Sequence, residues 1–209
     1  MNFRRKILMM LMISMCLVPV FGMKTEAKRI YTGNARVDCA AEKLIKKCSK
    51  PGMTNQQKLK SVYLYLVKHM KYTRKKGPVR LKVTKKELKE FRKETAALYK
   101  EGKIQYSSKF ATIYDNLLTL RGKCKDMSGA FCILANHLGY RAGYKTGMYV
   151  RSNGIASHHW WNYVMIKGKK YYCDVQAANC SWDKHHSEKA VEKYYLKTRK
   201  SRVWRRHHR

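Results

Sequence analysis

The stretch Gly122-Lys123-Cys124-Lys125-Asp126-Met127-Ser128 predicts a tight turn followed by a helix whose first residue is a cysteine. Its inner face continues at helical spacing with three more apolar residues, Phe131, Leu134 and Leu138. A cysteine at a helix N-terminus lies beside unpaired backbone N–H groups and the positive end of the helix dipole, which favour a thiolate and can stabilise an oxyanion. The position therefore predicts a nucleophile, although a buried structural thiol fits the same pattern.

A β-hairpin downstream supplies the partners that a nucleophilic cysteine needs. Residues 159–166 and 169–175 are predicted to be two strands on either side of Lys167-Gly168, a pair typical of a two-residue hairpin turn. With that turn, His159 faces Gln176, and Asp174 is the diagonal neighbour of His159 on the same face of the sheet. A four-residue loop preserves this parity, whereas a three-residue loop breaks it. Asn162 lies on the other face, so Asp174 is predicted to orient His159 beside the thiol.

The segments before the cysteine are predicted to be helical. Three helix starts are indicated by capping residues: Asp38 for a helix that ends at Cys48, the Thr54–Gln57 box and the Thr84–Glu87 box. Residues 73–82 are basic and indicate a loop, and the apolar spacing of residues 110–118 predicts one more helix. Helices come first, then the cysteine-led helix, then an antiparallel sheet that carries His159 and Asp174, so the predicted fold class is α+β.

Three motifs in this order resemble the transglutaminase-like superfamily of papain-like thiol enzymes, and in particular its small secreted bacterial members. They are the glycine-x-cysteine helix start at residues 122–128, the histidine-x-tryptophan-asparagine strand His159-Trp160-Trp161-Asn162-Tyr163-Val164, and the aromatic strand Tyr171-Tyr172-Cys173-Asp174 with its terminal aspartate. The similarity extends over residues 52–182.

The resemblance implies a papain-like α+β fold and acyl transfer through a thioester. Cys124 would attack a carboxamide or peptide carbonyl, His159 would move the proton, and Asp174 would hold His159. The family implies no metal ion and no organic cofactor, and nothing in the sequence resembles the calcium-binding apparatus of large animal transglutaminases. The side-chain oxyanion donor that often lies upstream in the family has only two loose candidates, Gln105 and Tyr106.

The N-terminus has the pattern of a secretory leader. Three basic residues at positions 4–6 precede an apolar run over residues 7–21, which is short for a transmembrane span. We expect residues 1–27 to be a signal peptide and the protein to be secreted, with an uncleaved anchor as the alternative. The remaining divisions are a helical lead-in over residues 28–51, a catalytic domain over residues 52–196, and a basic C-terminal tail over residues 197–209.

The formal net charge is +34, because the sequence has 47 Lys and Arg residues but only 13 Asp and Glu residues. An exported protein of this charge is expected to meet an anionic cell-wall polymer or membrane surface. The leader disfavours nucleic acid as the partner. Lysines that only solvate the surface are an equally simple interpretation. His207-His208 lies among arginines and is expected to belong to a frayed tail that binds polyanion.

Six of the seven cysteines follow the leader, an even number that in an exported chain suggests disulfides. Cys39 and Cys48 are predicted to lie on opposite sides of one helix and so cannot pair with each other. Cys132 falls on a buried helix face, where a free thiol is common. The sequence neither predicts nor excludes a local disulfide between Cys173 and Cys180.

A zinc site is a second chemical hypothesis for the C-terminal third of the chain. Cys173, Cys180, His185 and His186 are near one another in sequence, and zinc accepts such ligands. Their spacing matches no zinc-finger pattern, and Cys173 should face away from Asp174.

The sequence therefore predicts an exported thiol enzyme that performs acyl transfer or hydrolysis on peptide or carboxamide bonds: a cysteine peptidase, an amidase or a protein-crosslinking enzyme. Its substrate is expected to be a peptide or protein, with cell-wall peptide included. The alternative is a non-catalytic, strongly basic module that binds cell-wall polyanion on the same fold. Neither hypothesis predicts an oligomeric state.

Overall fold

The computed structural model describes residues 28–73, 81–107, 114–151 and 153–208. The predicted leader, most of the predicted loop over residues 73–82, and Phe110 and Ile113 lie outside these ranges. The helices are α1 (Ala35–Cys48), α2 (Asn55–His69), α3 (Lys85–Lys100), α4 (Tyr114–Thr119), α5 (Cys124–His137), α6 (Val175–His185) and α7 (Glu188–Glu192), with a 3-10 helix at Arg202–Arg206.

The strands are β1 (Arg29–Tyr31), β2 (Lys71–Tyr72), β3 (Ile104–Tyr106), β4 (Arg121–Gly122), β5 (Arg141–Val150), β6 (Ala156–Ile166), β7 (Lys169–Cys173) and β8 (His207–His208). The main sheet is antiparallel with the order β7-β6-β5-β8, and β1-β3 and β2-β4 form two short parallel pairs. This arrangement of helices followed by an antiparallel sheet confirms the predicted α+β class. Within the described ranges no helix is long and apolar enough to cross a bilayer.

Helix α5 is the centre of the molecule. Every residue from Met127 to His137 is buried, because α1, α2, α4, α6 and the β5–β6 face all pack against this helix. The apolar residues of α2 face the same core and are buried at Leu59, Val62, Tyr63, Leu66 and Val67. The N-terminal lead-in joins this core as well, since α1 buries Val37, Ala40, Ala41 and Leu44 in it.

Two of the three predicted helix starts are confirmed. Thr54 and Thr84 each accept a hydrogen bond from the third helical residue and receive the reciprocal bond of a capping box. The start of α1 differs from the prediction, because Asn34 rather than Asp38 caps it: Asn34 Oδ1 accepts from the backbone N–H groups of Arg36 and Val37 at 3.1 and 3.3 Å.

The hairpin register is confirmed over β6 and β7, where Ile166 pairs with Lys169 and Asn162 pairs with Cys173. Lys167 and Gly168 both have positive φ, 49° and 75°, as a type I′ turn requires. The predicted second strand is too long, however. It ends at Cys173, and the chain turns into α6, so Gln176 lies on a helix and does not face His159.

Asp38 belongs instead to a buried ionic cluster that joins the N-terminal segment to the end of α5. The His137 ring contacts Asp38 Oδ1 through Nε2 and Glu42 Oε1 through Nδ1, both at 3.0 Å. Tyr31 stacks on the same ring with centroids 4.0 Å apart and donates its hydroxyl to Glu42 at 2.8 Å. Burial lowers the pKa of His137, but the hydrogen bonds to Asp38 and Glu42 outweigh burial and raise it above its ordinary value.

Replacing this histidine tests the cluster. His137→Phe keeps a ring against Tyr31 but leaves two carboxylates without their cation. We therefore expect the free energy of unfolding in urea at pH 6 to fall by about 3–5 kcal/mol. The raised pKa means that the stabilisation is fully present below the unfolded-state pKa near 6.5 and is lost as pH rises through the folded-state value.

The difference in the free energy of unfolding between wild type and His137→Phe should therefore become smaller at alkaline pH. His185→Phe at an exposed position is the control and should change stability by less than about 0.5 kcal/mol. A gap that is constant from neutral to strongly alkaline pH would contradict a charged His137.

Candidate active site

A tight turn presents Cys124 at the first position of α5. Gly122 pairs with Tyr72 in the β2–β4 ladder and has φ of 155°, and a Cβ atom there would collide with the side chain of Asp126. Asp126 Oδ2 in turn accepts from the backbone N–H of Lys123 at 2.7 Å. The glycine, the capping carboxylate and the cysteine are therefore one local unit, which explains their spacing in the sequence.

The Cys124 thiol is half-buried and lies beside the His159 ring. The backbone N–H groups of Trp160 and Lys125 also point at the sulfur. Burial alone would raise the pKa of Cys124, but the His159 ring and these two N–H groups outweigh it and lower the pKa below its ordinary value. The thiol is thus set up to ionise.

The other nitrogen of the same ring faces Asp174. His159 Nε2 lies 2.7 Å from Asp174 Oδ2, and because a carboxylate only accepts, Nε2 carries the proton and Nδ1 is left for the thiol. Burial lowers the pKa of His159, but the charge and hydrogen bond of Asp174 and the contact with Cys124 outweigh burial and raise the pKa to about 10. A thiolate beside an imidazolium is therefore the favoured pair.

Asp174 is fully buried and bound by three donors. It caps α6, with Oδ1 accepting from the backbone N–H of Ala177 at 2.9 Å, and its Oδ2 accepts from two imidazoles. Burial raises the pKa of Asp174, but His159 and His207 outweigh burial and hold the pKa well below its usual range. Asp174, which was predicted to lie on a strand, is thus a helix cap, but it still contacts His159 as its predicted diagonal position across the hairpin implied.

The second imidazole comes from His207, and this corrects the prediction of a frayed tail. Residues 207–208 form β8 beside β5, where His207 pairs with Tyr149. His207 Nε2 lies 2.9 Å from Asp174 Oδ2, and its side chain is only 2% exposed. No local periodicity pointed to this contact, which joins residues 33 positions apart; the aromatic Trp204 just before the histidine pair was the only local hint of an ordered segment.

Two polar side chains fasten the cysteine helix to the histidine strand. Ser128 Oγ donates to the Trp160 carbonyl at 3.1 Å, and Asn162 Nδ2 donates to the Ser128 carbonyl at 2.8 Å. Asn162 also contacts Cys132 Sγ at 3.1 Å. Asn162 therefore faces α5 rather than the imidazole, as its parity predicted, and it fixes the separation of Cys124 and His159.

The thiol and His159 open on a cavity of about 650 Å³. Tyr72 lines it, whereas the two loose candidates for an oxyanion donor lie elsewhere. Gln105 and Tyr106 belong to β3, and Tyr106 lines a separate cavity with Phe91. These two candidates are therefore wrong, and the backbone donors beside the sulfur are the N–H groups of Lys125 in the first turn of α5 and of Trp160 on β6.

All six described cysteines are free thiols, so the bridge between Cys173 and Cys180 that was left open does not form. The pKa is raised by burial at the other five, which are Cys39, Cys48, Cys132, Cys173 and Cys180. Within the described ranges, Cys124 is thus the thiol with a lowered pKa.

The zinc grouping of Cys173, Cys180, His185 and His186 is not assembled: Cys173 is buried against the Leu196 N–H, and Cys180 is exposed on α6. In the described parts of the chain, the ligand atoms that converge within 4.8 Å are those of His159, Asp174 and His207. Two hydrogen bonds already join these three groups, and an ion there would have to replace both.

Two comparisons with known proteins found a similarity. Residues 79–177, just under half of the chain, match the family model described as the transglutaminase-like superfamily. A search of curated proteins gave no match. A solved structure described as "Crystal structure of a TGase" aligns with a TM-score of 0.41 and 16% identity over 83% of this chain. The alignment spans 37% of that longer protein.

The turn before the thiol gives a direct test of how Cys124 is presented. In Gly122→Ala the new methyl group must displace Asp126, so we expect the free energy of unfolding in urea to fall by about 1–3 kcal/mol. Iodoacetamide labelling of Cys124 at pH 6 should slow as well. Gly102→Ala is the matched control, since Gly102 also has positive φ but nothing within 4 Å of the added atom. Equal effects of the two substitutions on labelling would contradict the role of this turn.

Proposed function

We propose that the protein is a thiol enzyme that transfers or hydrolyses acyl groups through a thioester on Cys124, as the match of residues 79–177 to the transglutaminase-like superfamily suggests. One observation carries the proposal: a single imidazole, His159, links a thiol of lowered pKa to a buried carboxylate 2.7 Å from its far nitrogen. That arrangement is what nucleophilic catalysis by cysteine requires.

The proposed reaction has two halves. The Cys124 thiolate attacks the carbonyl carbon, a C–S bond forms, and the electron pair of the C=O bond moves to oxygen, where backbone N–H groups in the first turn of α5 donate hydrogen bonds that stabilise the negative charge. The intermediate collapses, the C–N bond breaks, and the leaving amine takes the proton from His159 Nδ1. Water or a second amine then gives its proton to His159 and attacks the thioester, which releases the thiolate. Hydrolysis is the default outcome, because water always reaches an open cavity and a second amine needs a site of its own.

The cavity favours an acidic peptide as the substrate. Four exposed cations line it from four separate parts of the fold: Arg151 after β5, Lys184 on α6, Lys193 after α7 and Arg206 before β8. Among the described residues that line the cavity there is no Asp or Glu, and none of the four cations forms an ion pair with a described carboxylate. A cleft with charges of one sign raises the local concentration of ligands with the opposite sign.

Uncharged donors and aromatic rings complete the same cavity, with Ser157, Gln176 and Ser181 among the polar groups and Tyr149 and Tyr194 among the rings. We infer that a peptide with carboxylate side chains beside the scissile amide binds here, and cell-wall peptide is the exported example of that chemistry. Export through the leader over residues 1–27 and attraction to an anionic wall or membrane are part of the same proposal.

A second candidate function rests on the net charge of +34. A basic module that binds cell-wall polyanion without catalysis would need the charged surface but not the ionised thiol. The two functions separate in one experiment, because alkylation of Cys124 abolishes acyl transfer and leaves polyanion binding intact.

Thiol reactivity tests the enzyme proposal. At pH 6 iodoacetamide should label Cys124 faster than Cys180, even though Cys180 is the more exposed, because only Cys124 of the two has a lowered pKa. In His159→Ala the labelling of Cys124 should slow to the rate of Cys180. Mass spectrometry of the peptides follows both sites in one sample. Labelling that follows exposure, with Cys180 first, would contradict an activated thiol.

Activity should depend on pH through both groups. It rises as Cys124 ionises below its ordinary pKa of 9.0 and falls as His159 loses its proton near pH 10, so kcat/KM should be bell-shaped. EDTA should leave the profile unchanged, since no step uses a metal ion. A rate that continues to rise well above pH 10 would contradict His159 as the proton donor.

The substrate proposal is tested with paired peptides and paired variants. We expect kcat/KM for a Glu-flanked amide to exceed that for its Gln-flanked counterpart, and to fall at least about tenfold in the double variant Lys184→Glu with Lys193→Glu. The control is Lys89→Glu with Lys93→Glu on the exposed face of α3, which changes the net charge equally. Equal losses in both double variants would show a long-range effect of net charge and not a subsite.

A further inference from the structure

The C-terminal end of the described chain closes over the buried side of the active site. The 3-10 helix Arg202–Arg206 leads into β8, and β8 extends the main sheet beside β5. The side chain of His207 thereby enters a space between the sheet and the carboxylate of Asp174. None of the steps of the proposed reaction involves this residue.

Four aromatic rings enclose His207. The centroid of its ring lies 4.0 Å from that of Trp204, 4.9 Å from Trp161, 5.0 Å from Tyr149 and 5.9 Å from His159. Nδ1 of His207 is buried and has no hydrogen-bond partner among the described residues. The bond from Nε2–H to Asp174 is thus the one polar contact of this ring that the structure describes, and it selects the orientation of the ring.

His207 and His159 share one oxygen. Both Nε2 atoms reach Asp174 Oδ2, at 2.9 and 2.7 Å, while Oδ1 is occupied by the Ala177 N–H. A carboxylate oxygen has two lone pairs, so it can accept both bonds, but each donor draws negative charge from the other. The hydrogen bond from His207 therefore both fixes the carboxylate plane and limits how strongly Asp174 stabilises a proton on His159.

We propose that His207 is a positioning residue of the active site, which acts through Asp174 to hold and tune His159, and that the C-terminal strand is a required part of the site. The proposal rests on the proposed function for its catalytic consequence, but its physical content, two imidazoles on one carboxylate oxygen, stands independently of any substrate. It also assigns a role to the tail that differs from polyanion binding.

Other titratable groups also face this centre. They are Cys124 on α5, Tyr149 on β5, Cys173 on β7, Cys180 on α6, Tyr63 on α2, Tyr194 after α7, and Arg206 beside Tyr194. All of them are unchanged in a variant of His207, so a comparison of such variants isolates the second hydrogen bond.

Two substitutions separate the hydrogen bond from the packing. His207→Phe keeps a ring among the aromatic neighbours but cannot donate to Asp174. His207→Gln loses the ring, but its side-chain amide has a donor at the same number of bonds from Cβ as Nε2 of histidine. Arg205→Ala at an exposed tail position is the control for general damage to the segment.

The first measurement is an NMR titration of the His159 ring in histidine-labelled protein, which needs no substrate. In His207→Phe the titration of His159 should move to higher pH by roughly half a unit to one unit, because Asp174 Oδ2 then serves one imidazole. In His207→Gln and Arg205→Ala it should stay near the wild-type position. Kinetics should show a several-fold loss of kcat in His207→Phe with little change in KM.

Two results would overturn the proposal: a His159 titration unchanged in both His207 variants, or larger effects of His207→Gln than of His207→Phe, which would assign His207 to packing alone. If the wild-type protein transfers no acyl group, the proposed function fails while the titration still decides the role of His207. The two failures are therefore distinguishable.

Discussion

The buried carboxylate of Asp174 is the constraint on which the rest of the site depends. An ionised carboxylate without contact to water costs several kcal/mol unless donors surround it. Here the donors come from three places: the first turn of α6, strand β6 and strand β8. The hairpin register, the point where β7 becomes α6 and the return of the C-terminus are all required to bring these donors to one side chain.

The cysteine is brought to this carboxylate system by a separate set of contacts. Gly122 and Asp126 shape the turn before α5, and Ser128 and Asn162 hold α5 against β6. None of these four side chains is part of the proposed proton path. They set the distance between two rigid elements, and a small change in that distance would separate the thiol from the imidazole.

The relation of His159 to Asp174 could be predicted from the sequence because a hairpin imposes a period of two, and parity places both residues on one face. The capping boxes at Thr54 and Thr84 were equally local and were predicted correctly. Asp38 looked like a cap for the same local reason, but a tertiary partner, His137, claims it, and Asn34 caps the helix instead. Local patterns cannot rank a cap against a buried ion pair that forms across 99 positions.

His207 could not be found from the sequence, because its role depends on the return of the chain terminus to a distant sheet edge and no local pattern encodes that return. The prediction of the side-chain oxyanion donor was wrong for a related reason. Gln105 and Tyr106 precede the cysteine in sequence, but β3 pairs with β1 on another part of the molecule. In both cases the sequence shows which side chain is present, but it does not predict where the fold places that side chain.

Rapid acid quench of the protein with an activated acyl substrate, followed by mass spectrometry of its peptides, detects the acyl group that the proposed reaction places on Cys124. Acyl transfer through Cys124 predicts one acyl group on the peptide that contains this residue, which hydroxylamine removes and which does not form in Cys124→Ala. Turnover of the substrate by Cys124→Ala at the wild-type rate, or an acyl group carried only on another residue, would contradict it.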